Sequence, residues 1–408
     1  MFCRFDFFSE EQNILLALVR ESLFGKSENI PIDSVEFSSL WKEAEIQTVP
    51  LLALNNIESE SISPEEKSFF RNRLQSYFFK NISVGTEHTH LHSLLSDAGI
   101  PYVIIKGMAS AVYYPDELMR LMGDVDFIVR KEDMQKADEI LTADGYTPRK
   151  KENSHHVTYD KGGLRCEMHF LPPGIPEGES GDTIIGFFEN IFDEACEKET
   201  SLGKMIVPSV YHHGLILLLH TLHHMTGDGL GLRHLCDWAV FASAFSENEF
   251  RNIFEEQLRS VGLWKFAVVL TDACAQFLGA SLKITDPAAD EECSRDLLAD
   301  VFSAGNFGQK NPDRSHESLF ISGKKTDEKK TRSFILNAII SVNAIVYSNW
   351  SFVRKFKILL PIGWLFFGGR YIIRSIMGKR PEIRMKQVMQ EVRERQNFYD
   401  KLNLFEKE

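Results

Sequence analysis

The stretch that most constrains this chain is Gly123-Asp124-Val125-Asp126-Phe127-Ile128-Val129. On an extended backbone, side chains at i and i+2 leave the same face, so Asp124 and Asp126 project together while Val125, Phe127 and Val129 point into a core. Two parallel carboxylates suit a hard divalent cation. Magnesium prefers oxygen ligands and is held through one or two carboxylates, waters and substrate phosphates. The triplet therefore points to phosphoryl or nucleotidyl transfer. The plainer alternative is a solvated acidic pair, which a chain with 58 acidic residues produces by accident.

A third carboxylate follows in Leu164-Arg165-Cys166-Glu167-Met168-His169-Phe170, again with period-two alternation. Leu164, Cys166, Met168 and Phe170 are expected toward the core, with Arg165, Glu167 and His169 on the other face. Upstream, His155-His156-Val157-Thr158-Tyr159 and the turn Asp160-Lys161-Gly162-Gly163 read as the other half of a hairpin. An even-numbered loop places His156 opposite Glu167 and on its face; an odd loop turns it to the core. His156 is then either a proton acceptor beside the carboxylates or an ordinary hydrogen-bonded strand histidine.

These residues and their surroundings resemble the uncharacterised bacterial nucleotidyltransferases related to the DNA polymerase β superfamily. The matching features are Ala98 to Gly107 (AGIPYVIIKG), Tyr114-Pro115, Arg120, Gly123 to Val129 and Glu167-Met168-His169. Leu40 to Ala44, Val49 to Leu52 and Leu232 to Ala239 resemble the family's helical signatures, so the likeness covers most of residues 10 to 245. It implies an α+β fold: a polymerase β-like nucleotidyltransferase core, a small mixed sheet with flanking helices, inside a mostly helical chain. It also implies attack of an acceptor oxygen on the α-phosphate of a nucleoside triphosphate, ATP foremost, with pyrophosphate leaving. Two magnesium ions would be bridged by Asp124 and Asp126, with Glu167 on the attacking side and Glu167 or His156 as general base. Lys106, Gly107, Ser110, Arg120 and Gly123 are the expected nucleotide-binding residues. One departure stands out. Better-studied members carry a Gly-Ser pair at the helix start, whereas Met108 and Ala109 follow Gly107 here and Ser110 comes third. Backbone amides, Lys106 and Arg120 are the expected substitutes.

The organisation reads as an N-terminal helical region (1–95), the nucleotidyltransferase core (96–180), a helical domain over the cleft (181–305), a linker (306–333) and a basic, aromatic-rich helical tail (334–408). Ser9 before Glu10-Glu11 and Ser63-Pro64-Glu65-Glu66 mark helix starts, and a crossover helix is expected over Lys131 to Asp144, closed by Gly145. Pro172 to Gly181 reads as a loop at the edge of the site. Six well-separated cysteines without a Cys-x-x-Cys pair and no signal-like start point to reduced thiols and a cytoplasmic location.

Nine of the thirteen histidines lie between His155 and His234. His220 and His224 fall one helical turn apart, as metal ligands or as packed histidines, and Arg233 and Asp237 are expected to pair along their helix. Charge is uneven. Residues 324–408 carry 18 Lys plus Arg against 8 Asp plus Glu, while the preceding residues carry 28 against 50. The apolar run Ile358 to Gly369 is too short to span a bilayer. The tail reads as a helical cap on the acidic body, or as a peripheral membrane contact through residues 334–378. Nucleic acid is the weakest partner, given the overall acidic balance. Three functions remain: a nucleotidyltransferase with an unknown small-molecule, sugar or protein acceptor, a catalytically inactive nucleotide-binding scaffold, and a membrane-peripheral component of envelope polysaccharide synthesis.

Overall fold

The computed structural model describes residues 2–26, 28–55, 57, 62–149, 156–176, 178–311, 314, 343, 346, 350, 353, 356–376 and 385–406. Four helices come first: α1 (Glu10–Phe24), α2 (Phe37–Ile46), α3 (Pro50–Leu54) and α4 (Pro64–Asp97). Ser9 and Ser63 open α1 and α4 with capping boxes, Gln12 and Glu66 returning a side chain to the cap amide. Pro64 begins α4, where its missing N–H leaves nothing unsatisfied.

The long α4 delivers the chain to a five-stranded mixed sheet of β1 (Tyr102–Ile104), β2 (Val125–Val129), β3 (Thr147–Pro148), β4 (His156–Lys161) and β5 (Leu164–His169). Strand order is β1-β2-β5-β4-β3, with β2 and β5 parallel and the other pairs antiparallel. Between strands lie the four-residue α5 (Met108–Ala111) and α6 (Met134–Ala143), the latter preceded by a 3-10 turn over Lys131–Asp133. Gly162 and Gly163, at φ of +58° and +85°, close the two-residue β4–β5 hairpin. This even loop keeps His156 on the face of Glu167, but the register differs from expectation: Thr158 faces Glu167, and His156 faces His169.

Strand alternation divides the sheet between two cores. Tyr102, Ile104, Val125, Phe127, Val129, Cys166 and Met168 pack with Val84, Leu91 and Leu95 of α4 and Ala137 and Leu141 of α6. Val103, Ile105 and Ile128 join the larger helical core on the opposite face. Because helices cover this second face as well, polar residues that share it with Ile128 become buried: Asp126 is 6% and His169 3% exposed.

The rest comprises α7 (Glu179–Gly186), a hairpin of β6 (Cys196–Thr200) and β7 (Gly203–Val207), then α8 (Val210–Thr226), α9 (Leu232–Ala242), α10 (Glu247–Ser260), α11 (Trp264–Ala273), α12 (Glu291–Ala304), α13 (Leu360–Ile376) and α14 (Met385–Leu402). The β6–β7 hairpin lies within the 181–305 segment, whose expected character is helical. Residues 196–199 of β6 are all exposed, so no apolar alternation betrays the strand. Most of the linker 306–333 and much of 334–378 lie outside the described residues. Within the tail, Phe398, Tyr399 and Leu402 of α14 are buried, and the Tyr399 hydroxyl donates to the Met225 carbonyl of α8 at 2.6 Å, so this end packs onto the body. Among the described residues, no helix is long and apolar enough to cross a membrane.

Candidate functional site

The parallel pairing of β2 with β5 sets Asp126 beside Glu167. Asp126 Oδ1 accepts from Lys106 Nζ at 2.9 Å and from His169 Nε2 at 3.2 Å, and the same His169 nitrogen lies 3.5 Å from Glu167 Oε2. One ligand atom from each of Asp126, Glu167 and His169 falls within 4.8 Å of the others. Asp124 precedes β2 on the same face. It is half-exposed, with Arg165 Nη1 3.7 Å from its Oδ2. The Ile105 amide donates to the Asp126 carbonyl at 3.0 Å, tying the Lys106-Gly107 segment to the carboxylate strand.

The four charged groups are shifted in different directions. Burial and the neighbouring Asp126 charge hold the Asp124 carboxyl above its ordinary range, with Arg165 acting against them. Burial also opposes ionisation of Asp126, but Lys106 and the His169 hydrogen bond outweigh it and hold this carboxyl far below the usual range. The His169 hydrogen bond depresses Glu167, against the cost of its burial. Burial disfavours charge on His169 too, yet its bonds to Asp126 and Glu167 raise its titration above the ordinary histidine value. His156 is held low, by burial first and then by His169, whose ring centroid lies 4.9 Å away.

The expected nucleotide-binding residues divide into distinct environments. Gly107 takes φ +58°, and a Cβ there would meet His88 Cε1 at 2.8 Å, so only glycine fits this close turn after Lys106. Ser110 is buried within α5, and among the described residues its hydroxyl has no hydrogen-bond partner. Gly123 has open space around it. Arg120 is engaged within the protein. Its guanidinium makes a bidentate pair with Asp237 of α9, both contacts 2.7 Å, and the Tyr114 hydroxyl donates to the same carboxylate at 2.7 Å. Arg120 thereby clamps the segment before Asp124 to the helical region, and the cations at the carboxylates are Lys106 and Arg165. The expected Arg233–Asp237 helix pair is replaced accordingly: Arg233 Nη1 donates to the Leu121 carbonyl at 2.9 Å.

Sequence reasoning missed Asn81. Buried on α4, its amide donates to the Leu118 and Arg120 carbonyls at 2.6 and 2.9 Å and accepts from the Met122 amide at 2.8 Å, fixing the turn that presents Asp124. No local pattern marks such a residue, because its partners lie about forty positions away. His169, not His156, is the histidine that touches both carboxylates.

Buried histidines give the fold a directional pH dependence. Burial pushes His88 and His213 down to about 4. The unfolded chain takes up these protons near 6.5 while the folded chain does not, so their contribution is intact above pH 6.5 and is lost as pH falls toward 4. The loss is on the order of 3 kcal/mol for each. His169, titrating high, has the opposite sign and loses its contribution as pH rises through its raised value. The expected result is a thermal midpoint that falls steeply between pH 6.5 and 4, with a shallower fall in His213→Leu, measured by circular dichroism across that range. An equal slope in the variant would refute the assignment.

Comparison with known proteins follows from this geometry. A crystal structure of an antigenic nucleotidyltransferase-like protein from Paracoccidioides brasiliensis aligns with 14% identity and a TM-score of 0.32, covering 50% of this chain and 94% of that one, a likeness too weak to build on. No curated protein matches the chain. Residues 33–279, more than half of the chain and inclusive of every residue described above for the site, match the model of a family described as uncharacterised nucleotidyltransferase. The chain belongs to that uncharacterised nucleotidyltransferase family.

Proposed function

We propose that this protein is a magnesium-dependent nucleotidyltransferase that moves a nucleoside monophosphate from a nucleoside triphosphate, ATP foremost, to a hydroxyl of a small molecule, sugar or protein side chain. The adjacency of Asp126 and Glu167 on paired parallel strands, with Asp124 two residues before, carries this reading. Burial first, and then the like charges of Asp126 and Glu167, raise Asp124, which fits a site built for a cation. Asp124, Asp126 and Glu167 would hold it, and His169 orients two of the three. When bound, magnesium neutralises phosphate charge and lowers the barrier to displacement at phosphorus. Lys106 contributes fixed positive charge at the same carboxylates, and the left-handed turn at Gly107 lets backbone approach the phosphates closely. In the transfer, the acceptor oxygen bonds to the α-phosphorus, the bond to the β-phosphate breaks, and pyrophosphate leaves. The hydroxyl proton passes to Glu167, or to His156, which is held in its neutral, proton-accepting form.

The reaction leaves a specific trace without a known acceptor. Water as a poor acceptor should give slow, magnesium-dependent release of nucleoside monophosphate and pyrophosphate. Release of nucleoside diphosphate and phosphate instead would contradict attack at the α-phosphate. Burial of Ser110 and the engagement of Arg120 by Asp237 favour a second reading, a nucleotide-binding scaffold, for which binding without monophosphate release is the expected result.

A peripheral membrane contact remains part of the proposal on one observation: Ile358, Ile362, Leu365 and Phe366 are exposed at and within α13, at 86%, 56%, 78% and 49%. Flotation with anionic liposomes should be lost when residues 334–408 are removed. Unchanged flotation would exclude the tail.

A further inference from the structure

We propose that His220, His224 and His234 form a binding site for a transition-metal dication of the zinc class, separate from the carboxylates of Asp126 and Glu167. One turn of α8 carries His220 and His224, and His234 enters from the first turn of α9. Their ring nitrogens lie within 4.8 Å of one another, and among the described residues no carboxylate or thiol shares the group. The ring centroids form a triangle with sides of 4.5, 5.2 and 5.0 Å. Tetrahedral zinc with Zn–N bonds of 2.0–2.1 Å needs nitrogens roughly 3.3 Å apart, which small rotations of these side chains supply.

His234 provides the independent observation. It is 3% exposed, and its Nδ1 lies 3.2 Å from the Gly231 carbonyl, which only accepts, so this nitrogen carries the proton. The lone pair therefore sits on Nε2, and that buried atom has no hydrogen-bond partner among the described residues. His220 and His224 can satisfy each other through their 2.9 Å Nε2 contact, but this leaves His234 unsatisfied. A shared cation satisfies all three.

The donor chemistry selects the metal. Imidazole nitrogen without oxygen ligands suits zinc, nickel, cobalt or copper and not magnesium. Lys106, Arg120 and Arg233 are the cations whose charge reaches the three rings. Lys106 and Arg120 are themselves neutralised by Asp126 and Asp237, which limits their repulsion of a dication. Three nitrogens leave a fourth tetrahedral position open to a further ligand, and Phe307 packs beside the cluster with its ring centroid 5.0 Å from that of His224. The segment after β5 also reaches this helix, because Gly174 approaches the Leu219 carbonyl so closely that a Cβ would sit 2.6 Å from it.

The test is zinc titration of the full chain by competition calorimetry, with zinc-edge absorption spectroscopy of wild type carrying one equivalent. A submicromolar site with three imidazole nitrogens at 2.0–2.1 Å is expected. His220→Gln and His234→Gln should each weaken binding at least as much as loss of an outer partner does, on the order of a hundredfold, and Asp124→Asn, which leaves the Lys106–Asp126 pair intact, should leave it unchanged. Three results would overturn the proposal: no submicromolar site in wild type, a carboxylate-dominated zinc shell, or zinc affinity that follows Asp124→Asn. The wild-type spectrum decides the matter even where a histidine variant fails to fold.

Discussion

Asp237→Ala will lower the free energy of unfolding by about 3–5 kcal/mol, because it strands the buried Arg120 guanidinium without its counter-charge. Arg120 and Asp237 side chains are 6% and 4% exposed, and Tyr114 loses its acceptor in the same variant. The pair joins residues 117 positions apart and fixes the approach to Asp124, so the effect extends beyond stability to the site. Arg120→Leu/Asp237→Leu removes both charges together and should be markedly more stable than either single replacement. Urea unfolding of the four proteins measures this as a double-mutant cycle. Additive losses would show that the two side chains do not depend on each other.

Asp126→Asn will reduce monophosphate release on the order of a thousandfold, the equivalent of about 4 kcal/mol of lost charge stabilisation. Its buried carboxylate also anchors Lys106 and His169, so part of any loss can arise from a disturbed fold. Asp124→Asn separates the two effects. Asp124 is half-exposed and its carboxyl already titrates high, so removing its charge costs the fold little. A folded Asp124→Asn protein with unimpaired turnover would remove Asp124 from the site.

Local pattern made the core of this account readable. Strict alternation put Asp124 with Asp126 and Glu167 with His169, two glycines marked the hairpin, and Ser9 before Glu10-Glu11 and Ser63-Pro64-Glu65-Glu66 marked the starts of α1 and α4. What stayed hidden depends on contacts between distant segments. Nothing near Arg120 announces Asp237, and nothing near His220 announces His234. The hairpin pairing was also offset: His156 meets His169, because both glycines lie in the loop and the strands run together from Lys161 and Leu164. The exposed β6 carries too little apolar pattern to be told from a polar loop.

The central claim is that these carboxylates bind a metal-nucleotide complex. Calorimetric titration of each nucleoside triphosphate, with and without magnesium, into wild type and Asp124→Asn/Asp126→Asn tests it most directly. Magnesium-dependent binding in wild type, strongest for ATP and absent in the double variant, is the predicted result. Binding of equal strength in the variant, or none to wild type, would contradict it.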